Sequence, residues 1–135
     1  MYKNILVPVI ADEEHDNHAS LRAAEKLAAD GAKFTILHVV EPIPSFVLAE
    51  IPSDVLSKTR GEIEVAMSRM AQSLLDCETK LISGHAGRAI IDYADENGVD
   101  CIVVASHRPG VVDYFLGSTA ARVVRHAKCS VHVVR

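Results

Sequence analysis

Two short clusters near the C-terminus contain the residues best suited to binding an anion. The first, residues 105–110 (ASHRPG), supplies a hydroxyl, an imidazole and a guanidinium, and the second, Gly117-Ser118-Thr119, begins a segment of helical periodicity. The first amides of a helix have no intrahelical partner and lie at the positive end of the helix dipole, so they attract phosphate groups. The alternative is purely structural: Gly117 turns the chain and Ser118 caps the helix.

The side chains of these clusters have distinct predicted roles. The Arg108 guanidinium can donate paired hydrogen bonds to a phosphate, and Ser118 and Thr119 add hydroxyl donors. Gly117 lets a phosphate approach the backbone closely. His107 is predicted to contact a phosphate or a sugar. In the rival interpretation, the Arg108 side chain fills the space and blocks the ligand.

An alternation of apolar runs and helical patterns predicts the architecture that must position these clusters. Five runs are typical of buried strands: residues 3–9, 33–40, 78–82, 100–105 and 130–134. Four helical patterns separate them, which predicts an α/β fold with one parallel sheet and helices on both faces. Ligands of such sheets bind beyond the carboxyl ends of the strands, where the winding direction reverses.

Local signals predict where several helices begin and end. Gly31 is predicted to stop the first helix, Ser53-Asp54 to cap the second, and Asn97-Gly98 to end the third. Three prolines punctuate residues 41–52, which are therefore predicted to form a loop.

Composition narrows the class of protein. The 135 residues are predicted to form one domain, 1–135, and 14 basic against 18 acidic residues give a net charge of −4. That balance argues against nucleic acid as a partner, because no basic surplus exists to neutralise phosphates. No apolar run is long enough for membrane insertion, and no leader pattern precedes the first strand, so a cytoplasmic location is expected.

The sequence gives no pattern for metal binding or catalysis. Cys77, Cys101 and Cys129 lie far apart, and His15 and His18 lack a supporting carboxylate motif. We therefore predict neither a disulfide nor a metal site. No nucleophile–base pair can be assembled, so no catalytic residue is assigned, and slow hydrolysis of a bound ligand is the most that is expected.

The chain resembles the universal stress protein family over essentially its full length. The resemblance rests on I-L-V-P at residues 5–8, L-H-V-V at 37–40, G-x-x-x-x-A-I-x-x-Y-A at 84–94 and the whole block 105–135. The S-H-R-P variant within that block is similar to the UspF/UspG-like branch. The resemblance implies a doubly wound, Rossmann-like sheet of order 3-2-1-4-5, with the switch point between the first and fourth strands.

The resemblance also implies an adenine nucleotide site. Nucleotide-binding members carry G-x-x-G, nine further residues and then G-[ST]. Here Ala105 and Arg108 stand for the first two glycines, Ser106 and His107 lie between them, and eight residues (109–116) precede Gly117. The loop is thus one residue shorter than the family pattern.

At the base end of that site, the resemblance implies an apolar slot. Pro8, with Val9 beside it, and Val39 would enclose the adenine. Ile10 stands where family members usually carry an acidic residue, so a carboxylate that could bind the base or ribose is missing there. Asp12, Glu13 and Asp16 are the alternatives for that role. ATP is the implied ligand, with AMP or ADP as alternatives and magnesium as a possible companion.

Three hypotheses for function remain open from the sequence. The first is an ATP-binding stress-response protein that forms an antiparallel homodimer through strand 130–134, against the alternative of a monomer whose edge is covered by 41–52. The second is a dimeric interaction module that has lost the nucleotide, as Ile10, Ala105 and Arg108 would suggest. The third and weakest is a true phosphotransferase or ATPase.

Overall fold

The computed structural model describes residues 1–10, 17–106 and 116–135. Within these ranges the chain forms five strands and five helices, with one helix between successive strands except between β2 and β3, where there are two. The strands are β1 (Tyr2–Pro8), β2 (Ala28–Val40), β3 (Cys77–Ser83), β4 (Cys101–Ala105) and β5 (Ser130–Val134). The helices are α1 (His18–Leu27), α2 (Ser45–Leu48), α3 (Ser53–Ala71), α4 (Ala86–Glu96) and α5 (Ser118–His126).

The five strands form one parallel sheet of order β3-β2-β1-β4-β5. The predicted order is therefore confirmed, and β1 lies at the centre of the sheet. From β1 the chain winds outward through β2 to β3, and from β4 it winds outward to β5 on the other side. The carboxyl ends of β1 and β4 are therefore the switch point of a doubly wound sheet.

Side chains that alternate along the central strands build two hydrophobic cores. Ile5 and Val7 of β1 belong to the core that α1 and α3 cover, whereas Leu6 belongs to the core that α4 and α5 cover. All three are fully buried. Because successive side chains of a strand point to opposite faces, the continuous apolar run of β1 requires helices on both sides, as predicted.

The first helix ends earlier than the sequence predicts. Its last residue is Leu27, and Ala28 already pairs with Tyr2 as the start of β2, followed by an irregularity before Asn4 pairs with Lys33. Gly31 has a φ of 78°, the left-handed conformation expected of a stop signal. Gly31 lies in the irregular first part of β2, so the prediction that it ends the first helix is wrong.

The proline-rich segment contains the short helix α2, which the predicted loop omits. The carbonyl of Pro44 accepts the amides of Val47 and Leu48, at 3.0 and 2.9 Å. Pro52 plays the same part before α3, where the predicted Ser53-Asp54 cap makes no side-chain capping bond. Proline is suited to these positions because its fixed φ leads into a helix and its missing N–H is not needed there.

One carboxylate fastens the amino ends of the two central strands. Asp100 accepts the amides of Lys3 and Asn4, at 2.9 and 3.0 Å, and its own amide donates to the Asn4 carbonyl at 3.0 Å. The Asn4 side chain also donates to the carbonyls of Asn97 and Gly98. These bonds fix β1 beside β4 at the end of the sheet opposite the candidate site.

None of the helices in the described ranges combines the length and the apolar character that crossing a bilayer requires.

Candidate functional site

The two central strands part at their carboxyl ends. Their ladder pairs Ile5 with Cys101 and Leu6 with Ile102, yet β1 continues to Pro8 and β4 to Ala105. Beyond Leu6 each strand instead pairs with its outer neighbour: Pro8 lies opposite Leu37, and Ala105 lies opposite Val134. This fork is the switch-point crevice that ligands of doubly wound sheets occupy.

The end of β4 lies directly against the start of α5. Ser106 is buried, its amide donates to the Val134 carbonyl at 2.8 Å, and its carbonyl accepts the Gly117 amide at 2.6 Å. The structure thus brings Ala105, Ser106 and Gly117 together, as the order of elements predicts. It also shows that the Gly117 amide already has a protein partner.

Three amides follow Gly117 before the hydrogen-bonded ladder of α5 begins. Ala121 donates to the Gly117 carbonyl at 2.8 Å, which is the first intrahelical bond, so the amides of Ser118, Thr119 and Ala120 precede the helical ladder. Gly117 is the N-cap residue of α5 and Ser118 is its first helical residue, so the alternative in which Ser118 caps the helix is wrong. Gly117 has a φ of −60°, which any residue can adopt, so conformation alone does not require glycine there.

The residues predicted for the base divide between the two faces of the sheet. Val39 packs against the core beneath α4 and α5, and Pro8 shares that side because it follows Leu6 by two residues. Val9 belongs to the opposite core. Its amide donates to the Leu37 carbonyl at 2.8 Å, and its carbonyl lies 3.1 Å from Nδ1 of His38. The slot can therefore use Pro8 and Val39, but the Val9 side chain lies on the other side of the sheet.

Asn17 holds the backbone at Ile10, a contact that the sequence analysis missed. The Asn17 side chain accepts the Ile10 amide at 3.4 Å and donates to the Ile10 carbonyl at 2.9 Å. Asn17 precedes α1 as its N-cap residue but makes no capping bond. Asparagine at that position is a capping signal in the sequence; here its amide group serves the chain after β1 instead.

Two grooves open near the carboxyl ends of the strands. The larger, of about 1090 Å³, lies between α3 and the pair Ile10 and His38. The smaller, of about 350 Å³, lies where β3 leads into α4, around Gly84. Gly117 lines neither of them. The larger groove is on the α3 side of the sheet, whereas the first turn of α5 is on the other side.

Two of the predicted site residues, His107 and Arg108, lie outside the described residues, as do the alternatives Asp12, Glu13 and Asp16. The remaining nine are placed as given above, with Ser118 exposed and Thr119 half-buried at the first turn of α5.

The cysteine thiols are held in their protonated form. Burial raises the pKa of Cys77 and of Cys101 to about 11, and it also raises the pKa of Cys129. A thiol must lose its proton to act as a nucleophile or a metal ligand, so these side chains contribute packing at neutral pH. Cys101 is 1% exposed, as expected for a residue of the buried strand predicted at 100–105.

The chain is similar in sequence and structure to known proteins along its whole length. The family model described as "Universal stress protein family" matches residues 1–135. Universal stress protein G of Escherichia coli O157:H7 is 30% identical over 142 residues, covering 100% of both chains. The solved structure of universal stress protein UspA from Lactobacillus plantarum has a TM-score of 0.81 at 30% identity, covering 99% of this chain and 98% of its own.

More distant structures with the same fold contain adenine nucleotides. They are a universal stress protein with cAMP, one from Archaeoglobus fulgidus with dAMP and one from Arabidopsis thaliana with AMP. Their identities are 24, 21 and 18%, their TM-scores 0.63, 0.69 and 0.63, and they cover 98–99% of this chain and 90–98% of their own. From the full-length family match, the 30% identical relative and the shared sheet order, this chain belongs to the universal stress protein family.

Proposed function

We propose that this chain is an ATP-binding, dimeric, cytoplasmic regulatory protein of the stress response. One observation carries the proposal: the fork between β1 and β4 opens beside the first turn of α5, where three consecutive amides precede the helical ladder. Unpaired amides at a helix start form an anion site, and a switch-point crevice gives the rest of the ligand a place to lie.

The nucleotide is proposed to lie on the α4/α5 side of the sheet. Its phosphates would accept hydrogen bonds from the amides and hydroxyls of Ser118 and Thr119, while Pro8 and Val39 contact the base. This side also holds the buried α5 residues Ala120 and Val123, which fix the helix start against the sheet. The adenine nucleotides in the related structures support this class of ligand.

The base is expected to be poorly discriminated. Ile10 supplies no carboxylate, and both its amide and its carbonyl are already bonded to Asn17. The amide and carbonyl of Val9 are likewise paired within the protein. Recognition of the base would then depend on apolar contact with Pro8 and Val39, which distinguishes poorly between ATP and GTP.

A bulky side chain at Gly117 tests the phosphate placement. We expect Gly117→Val to weaken ATP binding about tenfold or more, or about 1.4 kcal/mol, because its side chain would keep phosphate from the first turn of α5. Titration calorimetry measures the effect. Gly61→Val is the matched control, since a Cβ at Gly61 in α3 meets no atom within 4 Å. Equal ATP affinity in the two variants would reject the placement.

Replacement of Arg108 decides between its two interpretations. If the guanidinium binds phosphate, as we propose, Arg108→Ala weakens ATP binding about tenfold. If the side chain instead fills the site, the same variant binds ATP more tightly than the parent. Calorimetry with ATP distinguishes these outcomes by the sign of the change.

The homodimer is proposed to form through β5. This strand pairs with β4 on one side and stands at the edge of the sheet, and its Val131, Val133 and Val134 are half-buried. An antiparallel partner strand would satisfy the open edge. Light scattering is expected to give twice the chain mass of 14.6 kDa. A mass equal to that of one chain at micromolar concentration would exclude the dimer.

The second candidate function is an interaction module that binds no nucleotide. It is favoured by the residues that replace the family's usual ones: Ile10 stands for the acidic residue, and Ala105 and Arg108 stand for the two glycines. Protein purified without added ligand should then show no excess absorbance at 260 nm, and ATP should not raise its Tm. A rise in Tm with ATP favours the first candidate.

A further inference from the structure

Apolar side chains are clustered on the surface of α2. Ile43, Phe46, Val47 and Leu48 are 39, 75, 37 and 41% exposed, and α2 buries no residue. Ten large hydrophobic side chains are exposed in the described ranges, and these four fall within the six residues 43–48. Exposed hydrophobic residues scattered singly are common, whereas four within six residues of one short segment mark a candidate interaction site.

Carboxylates flank this cluster. Residues 41–56 contain Glu41, Glu50 and Asp54, all exposed, and no lysine or arginine. Val55, 47% exposed, adds an apolar side chain at the start of α3. We use "α2 surface" for the four apolar residues of 43–48 together with Val55 and the three carboxylates. An apolar centre with an acidic rim complements a partner that is apolar on one face and positively charged beside it.

The backbone under the α2 surface is already ordered. The amides of Val47 and Leu48 share the Pro44 carbonyl, the Ala49 amide donates to Ser45, and the Ile51 amide donates to Leu48. Prolines at 42, 44 and 52 further restrict the segment. A surface that is ordered before binding loses less conformational entropy when a partner docks.

We propose that the α2 surface is the docking site for a cationic amphipathic helix of a partner protein. Phe46, the most exposed of its apolar side chains, inserts between the apolar side chains of that helix, as aromatic anchors do at interface centres. Glu41, Glu50 and Asp54 pair with lysine or arginine on its flanks. The site uses none of the residues proposed to hold the nucleotide, so either proposal can fail without the other.

A synthetic peptide tests the apolar part of this site. The probe is a fluorescent helix of leucine and lysine, about 18 residues or five turns long, with the leucines on one face. In anisotropy titrations with the full chain, we expect Phe46→Ser to weaken binding about tenfold. Leu75→Ser, which removes an 88% exposed leucine outside the α2 surface, should leave the affinity unchanged. A scrambled peptide of equal composition should bind more weakly than the amphipathic one.

Matched charge changes test the acidic rim. Glu50→Gln with Asp54→Asn should weaken peptide binding several-fold, whereas Glu25→Gln with Glu96→Gln, which are also exposed and remove the same charge, should have little effect. If both double variants lost the same peptide affinity, the net charge of the protein would explain the binding, and the proposal would be overturned.

Two further outcomes would also overturn the proposal. A Phe46→Ser variant of altered mass in light scattering would assign the α2 surface to contacts between copies of the chain. Binding to phosphatidylglycerol vesicles that Phe46→Ser abolishes would assign it to a lipid surface. We expect neither, because Glu41, Glu50 and Asp54 would repel both an anionic lipid surface and the same surface of a second copy.

Discussion

Helices α3 and α5 lie on opposite faces of the same sheet and are attached to it very differently. The 19 residues of α3 meet the core only through their second half, where Met67 is fully buried and Ile63, Ala66, Met70 and Ala71 pack partly buried against it. The nine residues of α5 bury Ala120 and Val123. The short helix is therefore fixed by the core along its length, which holds its first amides beside the fork. The first half of the long helix contributes surface, next to α2. Helix length and contribution to the core are thus separate properties in this fold.

Removing the buried side chain of α3 should have the largest effect on stability. Met67→Ala deletes a side chain that is 1% exposed, so we expect the free energy of unfolding to fall by about 2–5 kcal/mol. Val65→Ala, on the same helix but 53% exposed, should change it by no more than about 0.5 kcal/mol. Urea denaturation measures both. Similar losses from both variants would mean that α3 is anchored over more of its surface than the burial of its side chains indicates.

A methyl group between α4 and α5 should have the next largest effect. A Cβ at Gly87 would lie 2.7, 3.2 and 3.3 Å from Cδ, Cβ and Cγ of Arg122, so Gly87→Ala displaces the exposed Arg122 side chain and crowds its Cβ between the two helices. We expect a loss of about 1–3 kcal/mol in thermal or urea unfolding.

The same substitution on α3 provides the control. Gly61→Ala meets no atom within 4 Å and replaces a poor helix former, so it should stabilise the chain by about 0.5–1 kcal/mol. A lower free energy of unfolding in Gly87→Ala and a higher one in Gly61→Ala would sharpen the contrast between the helices. A change in the same direction in both variants would contradict that contrast.

Thiol labelling compares the two cores by a smaller effect. Cys77 packs against the core beneath α3 and Cys129 against the core beneath α5. Because burial raises the pKa of both, each should react with iodoacetamide at pH 8 more slowly than a free cysteine, and the more deeply buried Cys101 most slowly. Met67→Ala should accelerate labelling of Cys77 more than of Cys129; mass spectrometry of tryptic peptides shows the order.

The same thiols give stability a pH dependence of defined sign. The folded pKa of Cys101 is about 11, above its ordinary value of 9.0. Between these values the unfolded chain releases a proton that the folded chain keeps, so the free energy of unfolding should fall as pH rises from 9 to 11. Cys101→Ala should make the free energy of unfolding, measured by urea titration, fall less steeply between pH 9 and 11. An unchanged pH dependence would contradict the raised pKa of Cys101.

Much of the sheet could be predicted from the sequence because its strands are short apolar runs between clear breaks. The bounds of β5 match the prediction, and Gly98 ends the turn after α4 with a φ of 66°. The order of strands came from the family resemblance, since hydrophobic pattern does not determine which strands are neighbours. Helix α2 was missed because proline both ends and begins helices, and position alone distinguishes the two.

The candidate site was predicted less completely. The contact of Ser106 with Gly117 follows from the order of elements, whereas the bonds from Asn17 to Ile10 depend on the path of the chain between them. The side on which Val9 lies could have been predicted. Strand alternation places it on the face opposite Pro8 and Val39, a consequence of the two-residue period of β structure.

The fork between β1 and β4 determines where this protein can be altered. Asp100 clamps one end of the strand pair, and the other end shares no ladder beyond Leu6 and Ile102. Positions past that point can change in size or polarity without breaking sheet hydrogen bonds between the two strands. Redesign of the proposed nucleotide site should therefore begin at Pro8 and Ala105 and keep Asp100, since loss of its hydrogen bonds would loosen the pairing of the two central strands.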